Sequence, residues 1–367
     1  MVGYSKLFRE EVIAQTAYNA GIAADRFREA YGVDCLAKLD SNENPYGPSP
    51  AAIKAAESVS SNLASYPDAA TSALRLAISE KLGVKAEQVV TGNGSEDLIA
   101  LIFTAVLSPG EHVVTTCPSF GPHETGAEVC GATAEKILYP ADWLFPIDDV
   151  EKALSAKPKV LMFASPNNPA GTAITEADFD RIVQALTPET LFVFDEAYVD
   201  FIEPSLRFDA IEKLSKTDLP WISLRTFSKA YGLAGSRIGF AVCSHDDISG
   251  ALMKIRSPFA VNAVAVAAAA AALEDVGHLA MCVENIRLER ERLQDELTKR
   301  GYTVAPSQTN FVFFDCKENG NELAERLRRR GVLTKGWFEE PYLGWLRVSI
   351  GRPEHTDAFL AALDSVA

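Results

Sequence analysis

The chain has 367 residues, 47% hydrophobic and 23% charged, with a formal net charge of −15 at pH 7. That length suits two domains with full cores, and the composition is that of an ordinary globular protein. Such an excess of acid argues against nucleic acid and anionic membranes as partners, since both need basic patches; a small anion needs only a few local cations.

The six cysteines, Cys35, Cys117, Cys130, Cys243, Cys282 and Cys316, show no paired spacing, and the five histidines form no metal-binding pattern. Reduced thiols in a cytoplasmic protein are expected. Met1 to Glu11 lacks the apolar core of a signal peptide.

Residues 1–40 read as a helical arm, with Phe8, Val12, Ile13 and Tyr18 loosely at helical spacing. Asp40-Ser41-Asn42-Glu43-Asn44-Pro45-Tyr46-Gly47-Pro48 is dense in turn formers and predicts an ordered irregular segment, with Asn44 biased toward extended geometry by its proline. Tyr66-Pro67-Asp68 is a second break.

From Val89 onward, short apolar strands alternate with helices. Strands are predicted at Val89–Thr91, His112–Thr116, Lys159–Ala164, Leu191–Phe194, Trp221–Arg225 and Ile238–Val242, with helices at Glu96–Leu107 and Glu176–Leu186. Continuous apolar strands between helices imply an α/β fold, a mainly parallel sheet covered on both faces, with ligands at the strands' carboxyl ends. Ala263–Leu273 is too short to span a bilayer and reads as an internal helix. Beyond residue 255, charged helices (Glu284–Arg300, Asn321–Arg330) and the strands Phe311–Phe314 and Trp345–Ile350 suggest a smaller α+β domain. The expected division is an arm at 1–40, a large domain at 41–255 and a small one at 256–367.

The candidate chemistry falls at strand ends. In Thr226-Phe227-Ser228-Lys229, a lysine follows a buried strand among hydroxyls, with Arg237 beyond a glycine-rich turn. A lysine there can join an aldehyde, and the hydroxyls and arginine can hold a phosphate; an ordinary surface lysine is the alternative. Gly92-Asn93-Gly94-Ser95-Glu96-Asp97 offers backbone N–H groups to an anion, or simply a helix start with Ser95 as its cap. Glu96 and Asp97 would have to turn away from such an anion. Phe120 is either core or a stacking partner for a planar ring. Ser165-Pro166-Asn167-Asn168-Pro169 is a loop, or a holder of a phenolic oxygen whose prolines suit cis bonds. Asp195, ending an apolar strand, needs a cationic partner such as a protonated pyridine nitrogen, unless it is structural or binds metal. Arg347, inside an apolar strand, wants a substrate carboxylate or a protein one.

With these residues in this order, the chain resembles the fold-type I pyridoxal-phosphate enzymes, and within them the histidinol-phosphate aminotransferases. The resemblance runs from Asn42-Glu43-Asn44-Pro45-Tyr46-Gly47 to Leu346-Arg347-Val348-Ser349-Ile350-Gly351. It implies pyridoxal 5'-phosphate as cofactor, bound covalently by Lys229, which also shuttles the proton. It further implies Asp195 on the ring nitrogen and Asn168 and Tyr198 on the ring oxygen. Gly94, Ser95, Glu96 (through its backbone), Thr226, Ser228 and Arg237 would lie around the phosphate, with Phe120 stacked on the ring. Tyr66 would reach the cofactor of a neighbouring subunit, so a homodimer with shared sites is expected. Tyr18, Lys335 and Arg347 would lie near the substrate.

Two departures bear on substrate: Phe120 stands where the family usually has tyrosine, and Lys335 where it often has arginine. The expected reaction is ping-pong transamination of histidinol phosphate with 2-oxoglutarate, giving imidazole acetol phosphate and glutamate. An aromatic amino-acid aminotransferase is the first rival and a threonine-phosphate decarboxylase the second. A nicotinamide dehydrogenase fits poorly, since Asp97 replaces the third glycine of its fingerprint.

Overall fold

The computed structural model describes residues 4–17, 22 and 24–366. Tyr18 lies outside the described residues.

The centre is a 7-stranded sheet in the spatial order Val89–Gly92, Gly239–Cys243, Trp221–Thr226, Leu191–Asp195, Val160–Ala164, His112–Cys117 and Thr133–Leu138. Gly239–Cys243 runs antiparallel to both of its neighbours, and the remaining pairings are parallel. Successive strand residues point to opposite faces, which explains the unbroken apolar runs. Phe192, Phe194 and Trp221 join one buried cluster, and Val193, Ile222 and Leu224 join the other. Each predicted strand of this sheet forms. Thr133–Leu138 escaped prediction because it lies at the sheet edge, where Glu135 and Lys136 interrupt the apolar pattern.

A separate 4-stranded antiparallel sheet contains Lys335–Gly336, Trp345–Ser349, Phe311–Asp315 and Thr303–Val304. Its cluster takes in the helices Val276–Lys299, Gly320–Arg328 and Pro353–Val366. Ala37–Lys38 pairs in parallel with Val332–Leu333, so the chain before residue 40 contributes to this part of the molecule. Residues 256–367 divide in their packing. Ala265, Ala268, Ala269 and Ala272 of the Ala263–Glu274 helix join the large sheet's cluster beside Leu74 and Ile78, whereas the core positions of the next helix join the smaller cluster.

Arg290, 2% exposed, fastens the Val276–Lys299 helix to the segment that follows Tyr198. Nη1 donates to the carbonyls of Phe201 (3.3 Å) and Thr309 (2.9 Å), and Nη2 to Glu203 (3.0 Å). Arg290→Ala leaves these acceptors unpaired and should cost about 3 kcal/mol, read as a lower urea midpoint. An unchanged midpoint would show that the tie carries no stability.

Candidate active site

Asp195 ends its strand 3% exposed. Oδ1 accepts the N–H of Ala197 at 2.9 Å, and Oδ2 lies 3.1 Å from Nε2 of the fully buried His123. Nδ1 of His123 lies 3.1 Å from Ser119 Oγ. Phe120 meets the His123 ring edge-on, with centroids 5.8 Å apart. Sequence reasoning left His123 unassigned. It lies in the first turn of the Pro122–Val129 helix, three positions after Phe120, but its partner lies 72 residues away, and only the fold brings them together.

On the neighbouring strand, Thr226 Oγ1 accepts the N–H of Ser228 at 3.1 Å, so its hydroxyl shapes the turn that presents Lys229. Lys229 Nζ donates to the carbonyl of Ser41 at 3.2 Å and lies 5.9 Å from the centroid of the Tyr198 ring. Burial lowers its pKa to about 7; Arg347, Arg237 and Lys38 push the same way and Glu43 opposes them. An amine so poised is substantially uncharged near neutrality, the form that attacks an aldehyde.

A cradle lies at the start of the Ser95–Val106 helix. Gly94 (φ +89°) occupies the cap position, making Ser95 the first helical residue and not the cap. No side chain caps this helix, so its first N–H groups remain for an anion. A Cβ on Gly94 would come within 2.5 Å of Arg237 Nη2, and one on Gly239 within 2.7 Å of the Ser95 nitrogen. Both glycines keep the cradle open. Glu96 is exposed, while the Asp97 carboxylate turns back to accept the Asn93 N–H at 2.9 Å.

Arg347 (5% exposed) donates from Nη1 to Asn168 Oδ1 and from Nη2 to the Asp40 carbonyl, both at 2.6 Å. Lys335 sits directly across the strand pair from it. Burial lowers the Lys335 pKa to about 8, helped by Arg347 and opposed by Asp40. Asn42 is a second residue missed as an individual. In the left-handed region (φ +54°), it donates from Nδ2 to Tyr198 Oη at 2.9 Å, and its Oδ1 accepts from Ser349 Oγ at 2.8 Å. The Ser165–Pro166 and Asn168–Pro169 bonds are cis.

The structure thus gathers Lys229, Tyr198, Asn168 and Arg347 around the 40–42 segment. Asp195 ends the strand beside that of Lys229, Arg237 closes on Gly94, and Gly239 lies against the Ser95 nitrogen. Tyr66 stands apart, 83% exposed and stacked on Phe259 at 4.5 Å.

These groups fit pyridoxal 5'-phosphate: a lysine with a lowered pKa, a buried carboxylate for a cationic ring nitrogen, and an uncapped helix start beside an arginine for the phosphate. The family model for aminotransferase class I and II matches residues 36–363. A histidinol-phosphate aminotransferase of Mesorhizobium japonicum is 41% identical, with 99% of each chain aligned. One from Rhizobium meliloti is 42% identical over 99% of this chain and 98% of its own. The crystal structure of histidinol-phosphate aminotransferase from Sinorhizobium meliloti in complex with pyridoxal-5'-phosphate superposes over 100% of both chains, with a TM-score of 0.90 and 27% identity. The chain belongs to the class I and II aminotransferases, among the histidinol-phosphate aminotransferases, and is a pyridoxal-phosphate-dependent enzyme.

Proposed function

We propose that the amino donor is histidinol phosphate, with 2-oxoglutarate and glutamate as the companion pair. The observation that carries this reading is the cationic pair Lys335 and Arg347, side by side on adjacent strands. Two cations on one wall suit a doubly charged phosphate. The relatives at 41% and 42% identity bear the histidinol-phosphate name.

Pyridoxal 5'-phosphate, when bound, supplies the aldehyde and an electron-accepting ring. Gly94, Ser95, Ser228 and Arg237 would hold its phosphate, Asn168 and Tyr198 its ring oxygen, and Phe120 the face of the ring. Asp195 would pair its carboxylate with the ring nitrogen, and His123 contacts that carboxylate from behind. Lys229 would carry the cofactor aldehyde and, as a free amine, would be the base placed to take the proton from the donor's α-carbon and return it. Its lowered pKa suits both roles. Arg347 and Lys335 hold the far end of the donor.

The chain acts as a cytoplasmic homodimer in this reading. Supporting the dimer, Leu7, Phe8, Ile13, Leu63 and Tyr66 expose more than half of their surface. Supporting the compartment, all six cysteines are free thiols. No single helix among the described residues is long and apolar enough to cross a membrane.

Steady-state assays against histidinol phosphate, phenylalanine and tyrosine test the donor, with the phosphorylated compound expected to show the highest kcat/KM. Lys335→Ala should raise KM for it about tenfold and leave unphosphorylated donors nearly unchanged. Faster turnover of phenylalanine or tyrosine would transfer the assignment to an aromatic aminotransferase.

Asp195→Ala should lower kcat at saturating cofactor by about 10²-fold or more. His123→Ala should lower it less, because the carboxylate itself and its bond from the Ala197 N–H remain. Equal losses would mean that His123 does more than orient Asp195.

Without cofactor, the lowered Lys229 pKa sets a pH dependence. Between about 7 and the usual 10.5 the unfolded chain binds the extra proton, so this residue's contribution to stability rises with pH across that window. Urea midpoints of the wild type minus those of Lys229→Met should therefore increase from pH 7 to pH 10. Parallel curves would show that the folded amine titrates normally.

A further inference from the structure

Asp195 and Glu196 are consecutive, so their side chains leave the strand end toward opposite faces. Asp195 faces His123. Glu196, 2% exposed, accepts from Ser223 Oγ at 2.5 Å, from Arg225 Nε at 3.2 Å and from Arg225 Nη2 at 3.1 Å. Both partners belong to the strand whose end delivers Thr226, Ser228 and Lys229. Above them, the Glu196 N–H donates to the Leu224 carbonyl at 2.8 Å. We infer that Glu196 and Arg225 are positioning residues for the transamination: their fork ties the two strand ends from the far face and holds Asp195 and Lys229 to a single cofactor ring. The inference rests on the reading of those two residues as cofactor ligands.

Packing alone does not hold this point. The pair borders a cavity of about 60 Å³, walled by Ile78, Leu82, Phe240 and Leu273 as well as by Lys81 and Tyr231, so close packing is interrupted beside the two strand ends. Further along the same strands, Phe192, Phe194 and Trp221 are clamped by neighbouring helices. At their ends, directional bonds replace that pressure. A guanidinium fork fixes both distance and angle, which an ammonium on a flexible stem does not.

The test uses the full-length protein saturated with pyridoxal 5'-phosphate. Arg225→Lys keeps the charge and removes the fork. It should lower kcat about 10- to 100-fold, with KM for the amino donor changed less than about twofold, as small misplacement of reacting groups does. The pH midpoint of the bound cofactor's visible absorbance should move by about one unit. Glu196→Met combined with Arg225→Met removes the buried carboxylate and its half-buried partner together, so thermal stability should exceed that of Arg225→Met alone and approach the wild type, while kcat should stay low. Recovery of kcat along with stability, or an unchanged kcat and midpoint in folded Arg225→Lys, would overturn the inference. Should the wild type itself form no visible band, the cofactor reading fails, and hydrogen exchange of the cofactor-free chain decides the clamp. Faster exchange in Arg225→Lys confined to 195–198 and 224–229 supports it, and unchanged protection refutes it.

Discussion

The site depends on the register between Leu191–Asp195 and Trp221–Thr226, which sets Asp195 opposite Leu224. A carboxylate at one strand end and a lysine-bearing turn at the next are thereby held about one strand spacing apart. Slipping that pairing by one residue would send every side chain of a strand to the wrong face. Phe192 and Phe194 would leave their cluster, and Val193 would leave the other. The chemistry inherits its precision from two apolar layers that have no chemical role.

How much of this was legible in the sequence follows from range. The apolar strands and the residues at their ends lie within a few positions of one another, so composition and spacing reveal them. Lys229, Asp195, Asn168 and Arg347 are candidates of that kind. The side chains that orient them are not. Asn42 reaches Tyr198 across 156 residues and His123 reaches Asp195 across 72, and nothing local marks either pair. Ser95 looked like a helix cap because hydroxyls favour that position. Gly94 takes it instead, and the space that a Cβ there would fill is occupied by the Arg237 guanidinium.

Charge shows the same contrast of scale. The chain carries −15 overall, yet the Lys229 amine is surrounded by Lys38, Arg237 and Arg347, with Glu43 the opposing charge. Net charge governs long-range encounter, whereas a pKa answers to burial and to charges within a few ångströms. A chain with this net charge can therefore still present a locally cationic wall to a small anion.

The two sheets divide the labour. Asp195, Ser228, Lys229 and the Gly94 cradle belong to the large one, while Lys335 and Arg347 belong to the small one. The 40–42 segment binds both sides: Ser41 receives the Lys229 amine, Asp40 the Arg347 guanidinium, and Asn42 joins Tyr198 to Ser349. The loop between the Lys335 and Arg347 strands docks as well, with Tyr342 Oη donating to the Cys117 carbonyl at 3.1 Å and Lys136 lying between Glu124 and Glu339. In the proposed function, a change at Lys335 would alter which donor fits without touching the strands that carry Asp195 and precede Lys229, whereas a change at that strand pair would disable every donor alike. Reaction and specificity would then be separable because they fall on different sheets that meet through side chains of fixed geometry.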